Sequence, residues 1–429
     1  MKHRIFALLP FFVFLVFFAG AGIISGDFYA MPAYVAFIIA LFVAFLQNRK
    51  IPFNDKLQIV AKGTGDVNII TMVLIFLVAG AFSGVVSAAG GVESTVNMGL
   101  SILPANLMVV GLFVIGCFIS LSMGTSVGTV TALAPIALGV ATQTGFPVAL
   151  CAGATLGGAM FGDNLSIISD TTIAAVRTQG CEMRDKFKQN FLIVLPAAII
   201  TIIILFIMTS GMEASTEVGH WDFIEVVPYL VVLVGALIGL NVFLVLFIGI
   251  ILSMIVGITG GAFTLMESFT IIGEGMTSMF EISIISIIVA CMVSLIRENG
   301  GIALIIDTIE RTVKSKRGAE LGIGILVLLV DLCTANNTVA IVMAGPVARD
   351  IADKFGVDRK RSASILDIFA SVGQGLIPYG AQMLTVAALV GISPIEIIPN
   401  THYPMLMLVF VLLFIFFRPQ KNDTTKLDK

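Results

Sequence analysis

Long apolar stretches alternate with short polar ones along the whole chain. Residues 5–24, 191–210, 226–240 with 243–259, and 402–417 are nearly continuous apolar runs. Crossing a bilayer takes about 20 helical residues, and these runs approach or reach that length. None alternates polar and apolar positions as a barrel strand would. Hydrocarbon offers no partner to an unpaired backbone group, so the spans must be helices. The pattern predicts an all-α polytopic membrane protein.

Charge then orients the spans, because basic residues collect on the cytoplasmic side. Lys2 and Arg4 place the N-terminus inside. The first apolar run is long for a signal peptide and reads as an uncleaved helix. Spans at 31–47 and 69–90 flank a basic loop holding Arg49, Lys50, Lys56 and Lys62. Arg177, Arg184, Lys186 and Lys188 mark a second inside loop, and Arg297, Arg311, Lys314, Lys316 and Arg317 a third. Glu213, Glu217, Asp222 and Glu225 belong outside, as does a loop over 260–280 with Glu267, Glu274 and Glu281.

Two segments resist counting. "SMGTSVGT" interrupts 104–137, and "DLCTANNT" interrupts 321–348. If 321–348 crossed the membrane, Arg349, Arg359, Lys360 and Arg361 would lie outside. Re-entrant hairpins keep every basic cluster inside, giving ten crossings and two hairpins. Irregular backbone at membrane depth is tolerated only against protein or water, so both tips should meet a cavity.

The punctuation repeats. Pro135 and Pro346 follow the two tips at an offset of 211 (346 − 135), and Lys62–Gly63 matches Glu274–Gly275 at 212 (274 − 62). "LGGAMFGD" resembles "VGQGLIPY" at 216 (372 − 156). The reading is two inverted repeats, each with five crossings, one hairpin and one discontinuous helix. The first covers 1–210, with its hairpin at about 104–137 and its broken helix at about 148–176. An extracytoplasmic linker, 211–225, follows. The second covers 226–417, with its hairpin at about 321–348 and its broken helix at about 362–390. The tail, 418–429, is cytoplasmic. Secondary transporters share this architecture, with the site at the repeat interface.

Composition narrows the classes. The chain has 429 residues, 58% hydrophobic and 12% charged, which excludes a soluble protein of this size. The net charge of −3 adds nothing. Cys117, Cys151, Cys291 and Cys333 lie in apolar segments and Cys181 in a polar loop, so no disulfide is expected. The sequence shows no zinc motif, phosphate loop or catalytic dyad, so neither an enzyme nor a cofactor is expected. The expected partners are the lipid bilayer and small solutes, not nucleic acid.

Candidate chemistry sits in four polar segments, two per half: "GTSVGT" (124–129), "GDNLSIISDTT" (162–172), "TANNT" (334–338) and "GQGLIPYGAQ" (373–382). A broken membrane helix frees carbonyls that suit a small cation and amides that suit an anion. A carboxylate at membrane depth is costly and usually functional. Asp163 can bind sodium when ionised and take a proton when not; the other reading is a helix cap beside a glycine turn. Asn164, Ser166, Ser169 and Thr171 supply oxygens around it. Asp170 is either a ligand or an N-cap at the cytoplasmic edge. Asp331 is a second cation or proton ligand, or a structural hydrogen bond. Asn336, Asn337 and Thr338 form a tip suited to cation or substrate contact, with capping as the alternative. Thr125, Ser126 and Thr129 compete with helix back-bonding. Gln374, Tyr379 and Gln382 either line the path or tie the second break together. Asp163, Asn336, Asn337 and Thr338 are the first candidates for sodium. Asp367, six residues past Arg361, is placed near the membrane surface, and Glu93 and Glu298 at solvated loop ends.

"GTSVGT" followed by "GDNLSIISDTT" resembles the signature of the NhaC-type Na+/H+ antiporter family, within the ion transporter superfamily. That resemblance implies inverted repeats, hairpins and sodium–proton exchange, with "NNT" at 336–338 similar to the hairpin-tip element of sodium-coupled carboxylate carriers. "TSV" at 125–127 lacks the asparagine. The family also includes malate/lactate exchangers and amino-acid permeases. The expectation is therefore a cation-coupled secondary transporter of the bacterial inner membrane. It is nominally a Na+/H+ antiporter, with a Na+- or H+-coupled amino-acid or carboxylate transporter as the alternative. Superfamily relatives are often dimers, which leaves a homodimer open.

Overall fold

The computed structural model describes residues 6–25, 31–166, 169–212, 219–238 and 240–417. Lys2, Arg4, Glu213, Glu217 and the tail 418–429 lie outside the described residues. Within them the chain is helical, with no strand. The helices are α1 (Leu9–Ser25), α2 (Ala33–Leu46), α3 (Phe53–Thr64), α4 (Val67–Ala88), α5 (Gly91–Ile102), α6 (Ala105–Met123) and α7 (Ser126–Thr144). Then come α8 (Val148–Leu165), α9 (Asp170–Gln179), α10 (Met183–Ser210), α11 (Phe223–Leu237), α12 (Val242–Thr259), α13 (Leu265–Ser278) and α14 (Phe280–Glu298). The chain closes with α15 (Gly301–Thr312), α16 (Lys316–Thr334), α17 (Asn337–Phe355), α18 (Arg359–Leu376), α19 (Ala381–Val390), the short α20 (Pro394–Ile397) and α21 (His402–Phe417). Six helical stretches among the described residues are long and apolar enough to cross a membrane.

Helix boundaries recur between the halves at close to one offset. From α6 to α9 and from α16 to α19 the starts differ by 211 (316 − 105, 337 − 126, 359 − 148 and 381 − 170). This register corrects the offset of 216 read for the glycine-rich segments. Asp163 corresponds to Gln374, not to Tyr379, because the helices and not the local glycine pattern set the alignment.

Packing recurs too. α6 lies against α8 and α16 against α18, while α9 packs on α17 and α19 on α7, so each short helix beyond a break docks on a helix of the other half. Gly158 and Gly162 of α8 allow the closest approach: a Cβ at Gly158 would lie 2.2 Å from Phe113 O, and one at Gly162 2.4 Å from Cys117 O.

Two stretches expected to be loops are helical. The basic segment 49–62 contains α3, and Lys56 is buried there rather than solvated. Its ammonium donates to Phe45 O at 2.8 Å and Gln47 O at 2.5 Å, satisfying carbonyls at the end of α2. The segment 260–280 holds α13, opened by a capping box between Thr264 and Glu267. α13 packs on α4, where Gly80 and Gly275 bring the two backbones together. The second arms of both hairpin segments also run further than expected, to Thr144 and Phe355, where left-handed Gly145 and Gly356 stop them.

Candidate functional site

Both helix pairs α6–α7 and α16–α17 turn through a single tight break; α8 ends at Leu165 with α9 starting at Asp170, and α18 ends at Leu376 with α19 starting at Ala381. The breaks and tips converge on one cavity of about 150 Å³. Its walls include Gly124, Thr125 and Ser126 from the first tip and Asn336, Asn337 and Thr338 from the second. Asp163, Ser169, Asp170 and Thr171 come from the first break, and Gln374 and Gln382 from the second. Thr71 and Ile75 of α4 complete part of the wall.

Asp163 is 6% exposed and holds the centre of the polar contacts. Ser126 donates to its Oδ2 at 3.0 Å and Ser169 to its Oδ1 at 2.5 Å. Ser169 lies 2.8 Å from the Thr171 hydroxyl, and Gln382 Nε2 donates to Ser126 Oγ at 3.0 Å. One carboxylate thus meets hydroxyls from the first tip and from the far side of its own break. A hydroxyl that donates to Asp163 keeps lone pairs for a cation. The Gln374 and Gln382 side-chain oxygens are buried without a hydrogen-bond partner among the described residues, so they are further oxygens for a ligand.

The remaining candidates divide. Asp170 is the first residue of α9, exposed, with Ser169 in the N-cap position; an acid there complements the helix dipole. Asp331 is fully buried behind the cavity wall, where Gln374 Nε2 donates to its Oδ1 at 2.9 Å while Oδ2 has no partner among the described residues. Asn336 and Thr125 cap their helices, accepting from Val339 N at 3.0 Å and Gly128 N at 3.3 Å, and still line the cavity. Thr129 bonds back to Thr125 O at 2.8 Å and does not reach it. Tyr379 also turns away. Its hydroxyl donates to Leu332 O at 2.7 Å, and its ring meets Phe11, Phe14 and Phe37 edge-on. Ser166 is buried outside the cavity wall.

Asn164 faces away from the cavity into a network that sequence reading missed. Asp367, expected near the surface, is fully buried and ion-paired to Lys186 at 2.8 Å. Asn190 donates to the same Asp367 oxygen at 2.7 Å, Asn164 to Ser371 at 2.7 Å, and Tyr403 to Asn164 Oδ1 at 3.2 Å. The error came from taking Arg361 as the water boundary. Arg361 is itself buried, paired to Glu320 at 2.9 Å and stacked over Phe414. A signal existed: Ser364, Asp367, Ser371 and Gln374 follow the 3-4-3 spacing of one helix face. Removing one partner of the Lys186–Asp367 pair would leave an uncompensated buried charge, at a cost of about 3–5 kcal/mol.

A larger cavity of about 550 Å³ adjoins the site, sharing Asn336 and running to Lys62, Asp66, Arg297 and Glu298.

The sequence is similar to those of known transporters. The malate-2H+/Na+-lactate antiporter of Bacillus subtilis is 22% identical, covering 93% of each chain. The Na+/H+ antiporter NhaC of the same species is 26% identical over 78% of this chain and 80% of its own. The arginine/ornithine antiporter ArcD of Halobacterium salinarum is 21% identical over 76% of this chain and 75% of its own. The sequence profile described as the Na+/H+ antiporter family matches residues 4–210 and 218–418, nearly the whole chain, and the protein belongs to that family.

Proposed function

We propose that this protein is a Na+/H+ antiporter of the bacterial inner membrane, with both termini cytoplasmic, working by alternating access on the Asp163 cavity. The observation that carries the reading is the meeting of one buried carboxylate with both tips and both breaks in a single cavity. Ionised, Asp163 binds sodium together with the Ser126, Ser169 and Thr171 oxygens. Protonated, it releases the ion and carries one proton in its place. The two occupants exclude each other at one group, so each passage of sodium obliges a proton to move the other way. The hairpins enter as re-entrant elements, and the two halves are inverted repeats. Exchange of conformation between the halves then moves access from one face to the other. In the state described, the 550 Å³ cavity at the Lys62–Arg297 end is the cytoplasmic vestibule, and basic residues on that side agree with inward orientation.

A second reading has its own observation. The N-termini of α7, α9, α17 and α19 all line the cavity, and each presents partial positive charge; α9 and α19 carry no side-chain cap bond. That favours a small carboxylate or amino acid moving with the cation, as the names of the malate/lactate and arginine/ornithine relatives describe for those proteins.

Flux into proteoliposomes with a luminal pH dye separates the two. Sodium-driven proton movement with no organic solute is the expected result for the antiporter. Proton or sodium movement that starts only on adding a carboxylate or amino acid would replace it with the second reading. Topology is checked by Lys354→Cys, at an exposed position, which should react only with reagent on the cytoplasmic side.

A further inference from the structure

Lys186 lies in the first turn of α10, in a segment rich in basic residues, yet it is 1% exposed. Its Nζ lies 2.8 Å from Asn164 O, 2.6 Å from Thr172 Oγ1 and 2.8 Å from Asp367 Oδ2. An ammonium has three donors, and these three oxygens use all of them. The oxygens come from the end of α8, the start of α9 and the middle of α18. They therefore join both sides of the first break to the second half. Asn190 Nδ2 reinforces the same two acceptors, at 2.8 Å from Asn164 O and 2.7 Å from Asp367 Oδ2. A freed carbonyl, a hydroxyl and a carboxylate around one positive charge form the kind of oxygen set with which broken membrane helices hold a small cation.

We propose that Lys186 is a tethered cation: its ammonium occupies a second cation site made by Asn164, Thr172 and Asp367, and so positions the break that carries Asp163. Asn164 follows Asp163 directly in the chain, so fixing the Asn164 carbonyl fixes the peptide next to the Asp163 side chain. Lys186 is a positioning residue and does not touch the exchanged ion. A free ion at this second site is unnecessary because the lysine supplies the charge. The transport consequence rests on the Asp163 reading; the occupancy of the second site does not.

The test uses the full-length protein carrying Lys186→Ala, alone and with Asp367→Asn. Methylammonium chloride, compared with equal choline chloride, should raise the unfolding temperature of the single variant but not of the parent or the double variant. In proteoliposomes the single variant should bind sodium about tenfold more weakly, as when groups behind a metal ligand are removed, and methylammonium should restore it. A folded Lys186→Ala protein that ignores methylammonium, or that keeps the parent's sodium dependence while the parent exchanges sodium, overturns the proposal. If that variant cannot be purified, Thr172→Val removes one oxygen and leaves the pair intact. It should weaken apparent sodium affinity about tenfold at an unchanged maximal rate; an unchanged affinity overturns the proposal equally. Should the parent show no sodium exchange at all, the antiporter reading falls, and the unfolding measurement still decides the role of Lys186.

Discussion

The two halves use matching helices in the same order but place their carboxylates differently. In the first half the acid, Asp163, is on the broken helix, and the corresponding position on α18 is Gln374. In the second half the acid that contacts Gln374, Asp331, is on α16, where the first half has Ser120, and a further buried acid, Asp367, lies on α18 paired to Lys186. Asp163 faces the cavity through serine hydroxyls, whereas Asp331 lies behind the wall and orients Gln374. Packing follows the same split. α6 and α8 touch backbone to backbone at Gly158 and Gly162, with Ser120 donating to Ala159 O at 2.5 Å. Between α16 and α18 side chains intervene: a Cβ at Gly324 would meet the Phe369 ring, and one at Gly373 the Asp331 carboxylate. The corresponding first-half pair is reversed, with Phe113 on the hairpin arm and Gly158 on the broken helix. A shared scaffold therefore gives one half an acid exposed to the cavity and the other an acid used to hold an amide. That asymmetry favours one exchangeable cation, not two.

The largest expected effect tests the acids. Asp163→Asn should abolish sodium-dependent proton flux with the yield of folded protein unchanged. Asp331→Asn, which keeps a hydrogen-bonding partner for Gln374, should lower it only about tenfold, as for a residue behind a ligand. Equal losses in liposome flux, or the reverse order, would break the comparison.

The contrast in packing comes next. Gly158→Ala requires backbone to move and should destabilise by about 1–3 kcal/mol, read as a lower unfolding temperature in detergent. Gly324→Ala meets the Phe369 side chain and not backbone, and should cost less than Gly158→Ala on the same scale. If both cost the same, the backbone contact is not special to the first half.

The smallest effect concerns the tips. Gly124 and Ala335 hold the corresponding C-cap position, at φ 69° and φ 51°. A side chain in the left-handed region costs about 1 kcal/mol. Gly124→Ala should therefore destabilise by about that much, and Ala335→Gly should stabilise by less, since glycine also loses more freedom on folding. Thermal unfolding of the two variants should shift in opposite directions; shifts of one sign would show that the tips differ in more than this residue.

Much of the plan was legible in sequence because membrane insertion writes it there. Apolar runs must be helical, and the glycines, prolines and "NNT" mark where helices stop. The polar segments at 124–129, 162–172, 334–338 and 373–382 were therefore readable as one kind of element. Within them, direction was not readable. Asp163 and Asn164 are adjacent in sequence, yet one enters the cavity and the other a network with Asp367. Tyr379 and Gln382 share a segment, yet only Gln382 reaches the site.

Sequence by itself determined the helical class and the family, because hydropathy and turn chemistry are local properties of the chain. Tertiary structure alone decided which polar groups meet. Helix rotation and close packing of α6 on α8 aim Asp163 at the tips. Packing of α10 on α18 buries Lys186 against Asp367, although nothing local distinguishes that lysine from its solvated neighbours.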